Sequence, residues 1–209
     1  MNAETMRPIE KIMRTGPVIP VLTIHDVSVA RPIAEALVRG GLRVLEVTLR
    51  TPVALDVIRE MRTVAGAIVG AGTVIDERGL QGALDAGSEF IVSPGLTRTL
   101  GQAVVASGVP YLPGVATASD IMQGLELGLK HFKFFPAETS GGLPALKALA
   151  SPFGGARFCP TGGITVESMM KWLALDSVLC VGGSWLVPAG RVDAGDIERR
   201  ARDAVARRG

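Results

Sequence analysis

A single (β/α)8 barrel is the fold this sequence predicts, and three observations carry the prediction. Short β-rich runs recur eight times along the 209 residues. Each run is followed by a Gly- or Pro-bearing turn and a segment of helical periodicity, the pattern of βαβ units around a parallel sheet. Apolar residues make up 47% of the chain against 20% charged, which suits strands covered on both faces.

The runs begin near Val18, Val44, Ala67, Glu89, Pro110, His131, Arg157 and Val178. Their starts are 26, 23, 22, 21, 21, 26 and 21 residues apart, room for one strand, one turn and one helix in each interval. Segments such as Val29 to Val38 and Ile121 to Leu127 carry the helical spacing. Eight units could lie in an open doubly wound sheet, but eight is the barrel number. A leucine-rich solenoid would repeat at similar length, yet its leucine–asparagine consensus is missing. Without a low-complexity linker, residues 1–209 read as one domain. Pro20, Pro113 and Pro160 fall in or near strands, where proline removes a ladder donor, so strand ends or bulges are expected there.

Charge and composition narrow the function. The net charge of +2 comes from 22 basic and 20 acidic residues, too balanced to point to nucleic acid or membrane partners. Mean hydropathy is +0.35, yet no uninterrupted apolar run approaches the ~18 residues of a membrane helix. Glu4, Arg7, Glu10, Lys11 and Arg14 interrupt the first sixteen residues, which argues against a secretory leader. A cytoplasmic enzyme is the expectation. The basic cluster around Arg199, Arg200 and Arg202 reads as a solvated helix end. Cys159 and Cys180 sit in apolar stretches and read as buried free thiols, with too few ligands nearby for a metal. His25 and His131 show no metal-type spacing and read as structural, and Trp185 as packing.

Three places carry polar groups where a barrel should be apolar. Side chains alternate along a strand, so Leu45, Val47 and Leu49 form one face of the second run. Val44, Glu46, Thr48 and Arg50 form the face that would point inward. A carboxylate and a guanidinium there are costly unless paired or used, so either a buried ion-pair network or a site is implied. In the sixth run His131, Lys133 and Phe135 share a face opposite Phe132 and Phe134. Lysine is almost never fully buried without a reason. Low polarity favours the neutral amine, which can attack a ketone and form an imine. The plainer alternative is a lysine paired with a carboxylate near the strand end. Lys133 with Glu46 from a different strand makes a nucleophile and a base. Finally, Thr161-Gly162-Gly163 ends the seventh run and Gly182-Gly183-Ser184 the eighth, where barrels of this kind cradle phosphate on backbone N–H groups. Gly70-Ala71-Gly72-Thr73 lacks the third glycine of a dinucleotide fingerprint.

Several motifs resemble the bacterial 2-keto-3-deoxy-6-phosphogluconate (KDPG) aldolases. They are Glu46-Val47-Thr48-Leu49-Arg50-Thr51, Gly70-Ala71-Gly72-Thr73-Val74, Ser93-Pro94-Gly95 and Phe132-Lys133-Phe134-Phe135-Pro136-Ala137-Glu138. Cys159-Pro160-Thr161-Gly162-Gly163-Ile164 and Gly182-Gly183-Ser184-Trp185-Leu186-Val187-Pro188 complete the set. The resemblance runs from about Ile9 to Ala206, with the motifs in family order. It implies a metal-free, cofactor-free class I aldolase, homotrimeric, often acting also on 4-hydroxy-2-oxoglutarate (KHG). Carried over by position, Lys133 corresponds to the Schiff-base lysine and Glu46 to the general acid/base. Arg50 and Thr73 correspond to carboxylate- and substrate-positioning residues, and Pro94, Phe135 and Thr161 to pocket lining. Gly162, Gly163, Gly183 and Ser184 correspond to the phosphate cradle. Three alternatives stay open: the same chemistry on the galactonate-derived epimer, a barrel isomerase or epimerase, and a binding regulator without turnover.

Overall fold

The computed structural model describes residues 8–188 and 192–208. Glu4 and Arg7 lie outside the described residues. Strands alternate with helices through the chain: β1 Val18–Leu22, α2 Ala30–Arg39, β2 Val44–Thr48, α3 Ala54–Met61, β3 Ile68–Gly72, α4 Glu77–Asp85 and β4 Ile91–Val92. They continue with α5 Arg98–Ser107, β5 Tyr111–Leu112, β6 Gly114–Val115, α6 Ala118–Glu126, β7 His131–Phe134, α7 Gly142–Ala150, β8 Arg157–Pro160, α8 Met169–Leu173, β9 Val181–Gly183 and α9 Ala194–Ala206. A short helix α1, Pro8–Met13, precedes them.

All strand pairings are parallel, in the order β5-β4-β3-β2-β1-β9 and β6-β7-β8. β5 and β6 are one strand position interrupted at Pro113, whose carbonyl accepts from the Lys133 N–H at 2.8 Å. Bridges from Phe158 to Val178 and from Thr161 to Gly182 join β8 to β9. The ring therefore closes as a (β/α)8 barrel of eight strand positions. The three prolines divide: Pro113 marks the interruption and Pro160 the last residue of β8, as a missing donor requires. Pro20 does not follow the expectation of a strand end or bulge, because it sits inside β1 in register with Gly183.

The helices take their places through amphipathic faces and local caps. In α2, Ile33, Ala34 and Leu37 are buried while Arg31, Glu35 and Arg39 are outward. Asp76 caps α4 through the Gly79 N–H at 2.7 Å, and Thr117 with Asp120 forms a capping box on α6. Gly40 lets α9 pack on α2, since a Cβ there would lie 2.3 Å from that of Ala201. The basic residues of α9 are engaged with acids on the surface: Arg200 with Asp196, Arg202 with Glu198, and Arg39 of α2 with Glu198. No helix is long and apolar enough to cross a membrane among the described residues.

Two apolar layers follow from strand alternation. Leu45, Val47, Phe132, Phe134 and Phe158 face outward into the layer beneath the helices. Ile19, Val44, Phe90, Val92, Leu112, Cys159 and Cys180 fill the N-terminal end of the barrel interior, closed by Ile9, Ile12 and Met13 of α1. Gly70 makes this possible, because a Cβ there would lie 2.5 Å from the Phe90 ring. Both cysteines are free and buried, and the contact with Cys159 together with burial pushes the Cys180 thiol well up.

Candidate active site

The C-terminal end of the barrel interior is built from the same strands but is not filled. Glu46 of β2 and Lys133 of β7 are 2% and 5% exposed, so two ionisable groups are buried together. Lys133 Nζ donates to Glu46 Oε1 at 2.9 Å and reaches Oε2 at 3.3 Å. Its ammonium also stands 5.5 Å from the centroid of the Phe135 ring. Burial of either charge alone would be costly, and the pair offsets that cost. Lys133 is thus a lysine paired with a carboxylate, and its partner is the one that chemistry would choose: the two residues are 87 positions apart in sequence.

Glu46 has room because of a glycine. A Cβ on Gly72 would lie 2.2 Å from Glu46 Oε1. Gly70 and Gly72 therefore serve one purpose at two levels of β3, clearing the barrel axis for Phe90 below and for Glu46 above.

Beside the pair lies a cavity of about 170 Å³. Arg50, Lys133, Phe135, Thr161, Gly162, Gly163 and Ser184 line it, together with Val21, Thr23, Ile164 and Gly182. Seven of the residues singled out by sequence thus converge on one wall. Arg50 is anchored by its Nε–H donating to Thr73 Oγ1 at 3.0 Å. Thr73 itself has φ of +58°, a left-handed conformation that a β-branched residue rarely adopts and that costs about 1–3 kcal/mol. Strain of this kind persists where surrounding structure holds it in place, and here it keeps the Thr73 hydroxyl against Arg50. Gly162 and Gly163 have φ of +103° and +81°, a run of backbone only glycine adopts freely. The Thr161 hydroxyl donates back to the Cys159 carbonyl at 3.3 Å.

Four sequence-selected residues are not on the cavity wall: Glu46, which reaches it through Lys133, and Thr73, Gly183 and Pro94. Thr73 acts through Arg50. Gly183 is turned away, since a Cβ there would strike the Trp185 ring at 1.9 Å, and its neighbour Gly182 lines the cavity instead. The alternation of β9 is the reason: Cys180 and Gly182 share the inward face. Pro94 follows β4 in a tightly held corner. Ser93 Oγ–H donates to the Gly95 carbonyl at 2.6 Å, so the Tyr111 O–H must donate to Ser93 Oγ at 2.7 Å. Burial pushes the Tyr111 phenol up to about 12, keeping that donor protonated.

His25 is exposed rather than structural in the sense of a core residue, and lines an outer chamber of about 470 Å³ shared with Asp26, Thr23 and Ser184. His131 faces the other end of the barrel, 3.3 Å from Glu10 of α1. Among the described residues no group of three or more His, Cys, Asp or Glu side chains could hold a metal ion. Val21 and Thr23 were not singled out by sequence, and the inward alternation of β1 is the signal that would have found them; Gly182 and Ile164 stood in the quoted motifs without a role of their own.

A buried amine–carboxylate pair on two barrel strands thus stands beside a guanidinium and glycine-rich strand ends. The profile of the family described as KDPG and KHG aldolase matches residues 9–202. The KHG/KDPG aldolase of Escherichia coli is 52% identical over 200 residues, 94% of each chain. The crystal structure of the KDPG aldolase of Zymomonas mobilis with 3-phosphoglycerate superposes with a TM-score of 0.95, at 59% identity over 97% of each chain. The KDPG aldolase of Legionella pneumophila, with pyruvate captured as a covalent carbinolamine intermediate, gives a TM-score of 0.91 at 43% identity, over 95% of this chain and 98% of that one. Matched along almost its whole length by profile, sequence and fold, this chain belongs to the KDPG and KHG aldolase family.

Proposed function

We propose that this chain is a class I aldolase that cleaves KDPG to pyruvate and glyceraldehyde 3-phosphate through an imine on Lys133. The observation that carries the reading is the Lys133–Glu46 contact of 2.9 Å at the wall of a cavity that also holds Arg50. Proton transfer from the ammonium to the Glu46 carboxylate frees the amine, which attacks the C2 ketone. Glu46 returns that proton to the carbinolamine hydroxyl, which leaves as water, so that a protonated imine and a Glu46 carboxylate remain. The Glu46 carboxylate takes the proton from the C4 hydroxyl, and the C3–C4 bond breaks as the iminium accepts its electrons to become an enamine. Glyceraldehyde 3-phosphate leaves. The enamine is protonated at C3, and water hydrolyses the imine to pyruvate and the free lysine.

Arg50, tethered by Thr73, is the partner for the substrate carboxylate, in the bidentate geometry that guanidinium offers. Phe135 and Thr161 bound the keto-acid end, and Pro94 supports the corner beside β4. Backbone N–H groups at Gly162, Gly163 and the Gly183–Ser184 segment receive the phosphate. The covalent electron sink does the work that a divalent metal does in other aldolases.

The Escherichia coli relative is named for both substrates, which favours KHG cleavage to pyruvate and glyoxylate as a second activity. Organisation of residues 1–209 as one domain, assembly as a homotrimer and a place in the cytoplasm belong to the same reading. Pyruvate release from synthetic KDPG, followed by coupled NADH oxidation with lactate dehydrogenase, tests it. Steady release supports the reading; none with KDPG, KHG or the galactonate-derived epimer would direct attention to an isomerase or a binding protein. Sedimentation at trimer mass tests the assembly, and a monomer would remove it.

A further inference from the structure

We propose that Thr23 is a specificity-determining residue whose hydroxyl oxygen accepts a hydrogen bond from the substrate hydroxyl lying between the scissile bond and the phosphate. The proposal deepens the aldolase reading and rests on it. Thr23 is exposed at the end of β1 and lines both the 170 Å³ cavity and the 470 Å³ outer chamber, as Ser184 does. It therefore stands where the two cavities meet, on the same wall as Arg50 and the Gly162–Gly163 segment.

The direction of its hydrogen bond follows from its neighbours. Thr48 Oγ1 lies 3.1 Å from the Leu22 carbonyl, and a carbonyl only accepts, so Thr48 donates to it. A hydroxyl has one hydrogen. Thr48 must then accept across the 2.8 Å contact with Thr23, and Thr23 is the donor there. With its own hydrogen committed inward, Thr23 presents lone pairs to the cavity. An oxygen that can only accept is repelled by a phosphate or carboxylate oxygen and is matched by an O–H. In glyceraldehyde 3-phosphate, the C2 hydroxyl is the donor between the reacting carbonyl and the phosphate. A site that hydrogen-bonds a hydroxyl discriminates against the analogue lacking it, because the protein group is left unpaired.

The test is run in the condensation direction, with pyruvate and either glyceraldehyde 3-phosphate or its 2-deoxy analogue, 3-phosphooxypropanal. Comparing kcat/KM for the two aldehydes isolates the hydroxyl. In Thr23→Val the preference for the hydroxylated aldehyde falls by about three- to tenfold, and Thr23→Ser restores it. A preference unchanged in Thr23→Val, or one lost equally in Thr23→Ser, would overturn the assignment while leaving the aldolase intact. Failure of the native protein to condense either aldehyde would instead overturn the aldolase reading together with it.

Discussion

β7 carries two basic residues on its inward face, and the two ends of the barrel treat them differently. His131, at the N-terminal end, meets Glu10 of α1 among packed apolar side chains. Lys133, one pleat further on, meets Glu46 at the wall of an open cavity. Each is a cation-forming group beside a single carboxylate, and each is about 5% exposed. Pairing and burial therefore do not distinguish structure from chemistry. Position along the barrel axis does. β2 repeats the pattern, with Val44 packed below and Glu46, Thr48 and Arg50 above. The lower end is a plug that gives stability, and the upper end is left unfilled so that a substrate completes it.

Substitutions at the two ends sharpen the comparison, because they separate activity from stability. The largest effect is at Lys133. Lys133→Ala is expected to lower kcat on the order of 10⁴-fold or more, measured by pyruvate release, because among the described residues no other lysine lines the cavity. Gly72→Ala comes next. Its methyl must displace the Glu46 carboxylate, and kcat should fall about 10²-fold while far-UV circular dichroism stays native. At the lower end the balance reverses. Met13→Ala opens space beneath the barrel and should cost about 2–5 kcal/mol in urea unfolding, with kcat within about twofold of native. An equal loss of kcat would mean that the plug and the site are one unit.

The smallest effect concerns the plug's polar contact. The hydrogen bond from Arg14, and then the neighbouring His131, hold the Glu10 carboxyl below its ordinary value of 4.5. A depressed carboxylate stabilises the fold fully above that value, and the contribution is lost as pH falls below it through the folded pKa. Glu10→Gln should therefore lower Tm by roughly 1–3 °C at pH 7 and by less at pH 3. A difference that grows on acidification would contradict this account.

Much of the comparison was legible in the sequence, because alternation is a local rule. It assigned Glu46, Thr48 and Arg50 to one face and Leu45 and Val47 to the other, as the two apolar layers require. It put His131 and Lys133 together but could not say which end of the strand opened. What escaped depends on contacts distant in sequence. Gly72 matters because of Glu46 on the next strand, and Thr23 because of a hydroxyl on β2. The α1 plug is six residues of ordinary amphipathic helix until the barrel end it closes is known. Gly182 and not Gly183 lines the cavity, and one residue along a strand is the difference between its two faces.

Central to the proposed function is a covalent imine on Lys133. Intact mass after incubation with pyruvate and sodium borohydride, beside Lys133→Ala, tests it most directly. The native protein should gain one reduced pyruvyl group, mapped by peptide analysis to Lys133, and the variant should gain none. Native protein of unchanged mass, or an adduct that persists in Lys133→Ala, would contradict the claim.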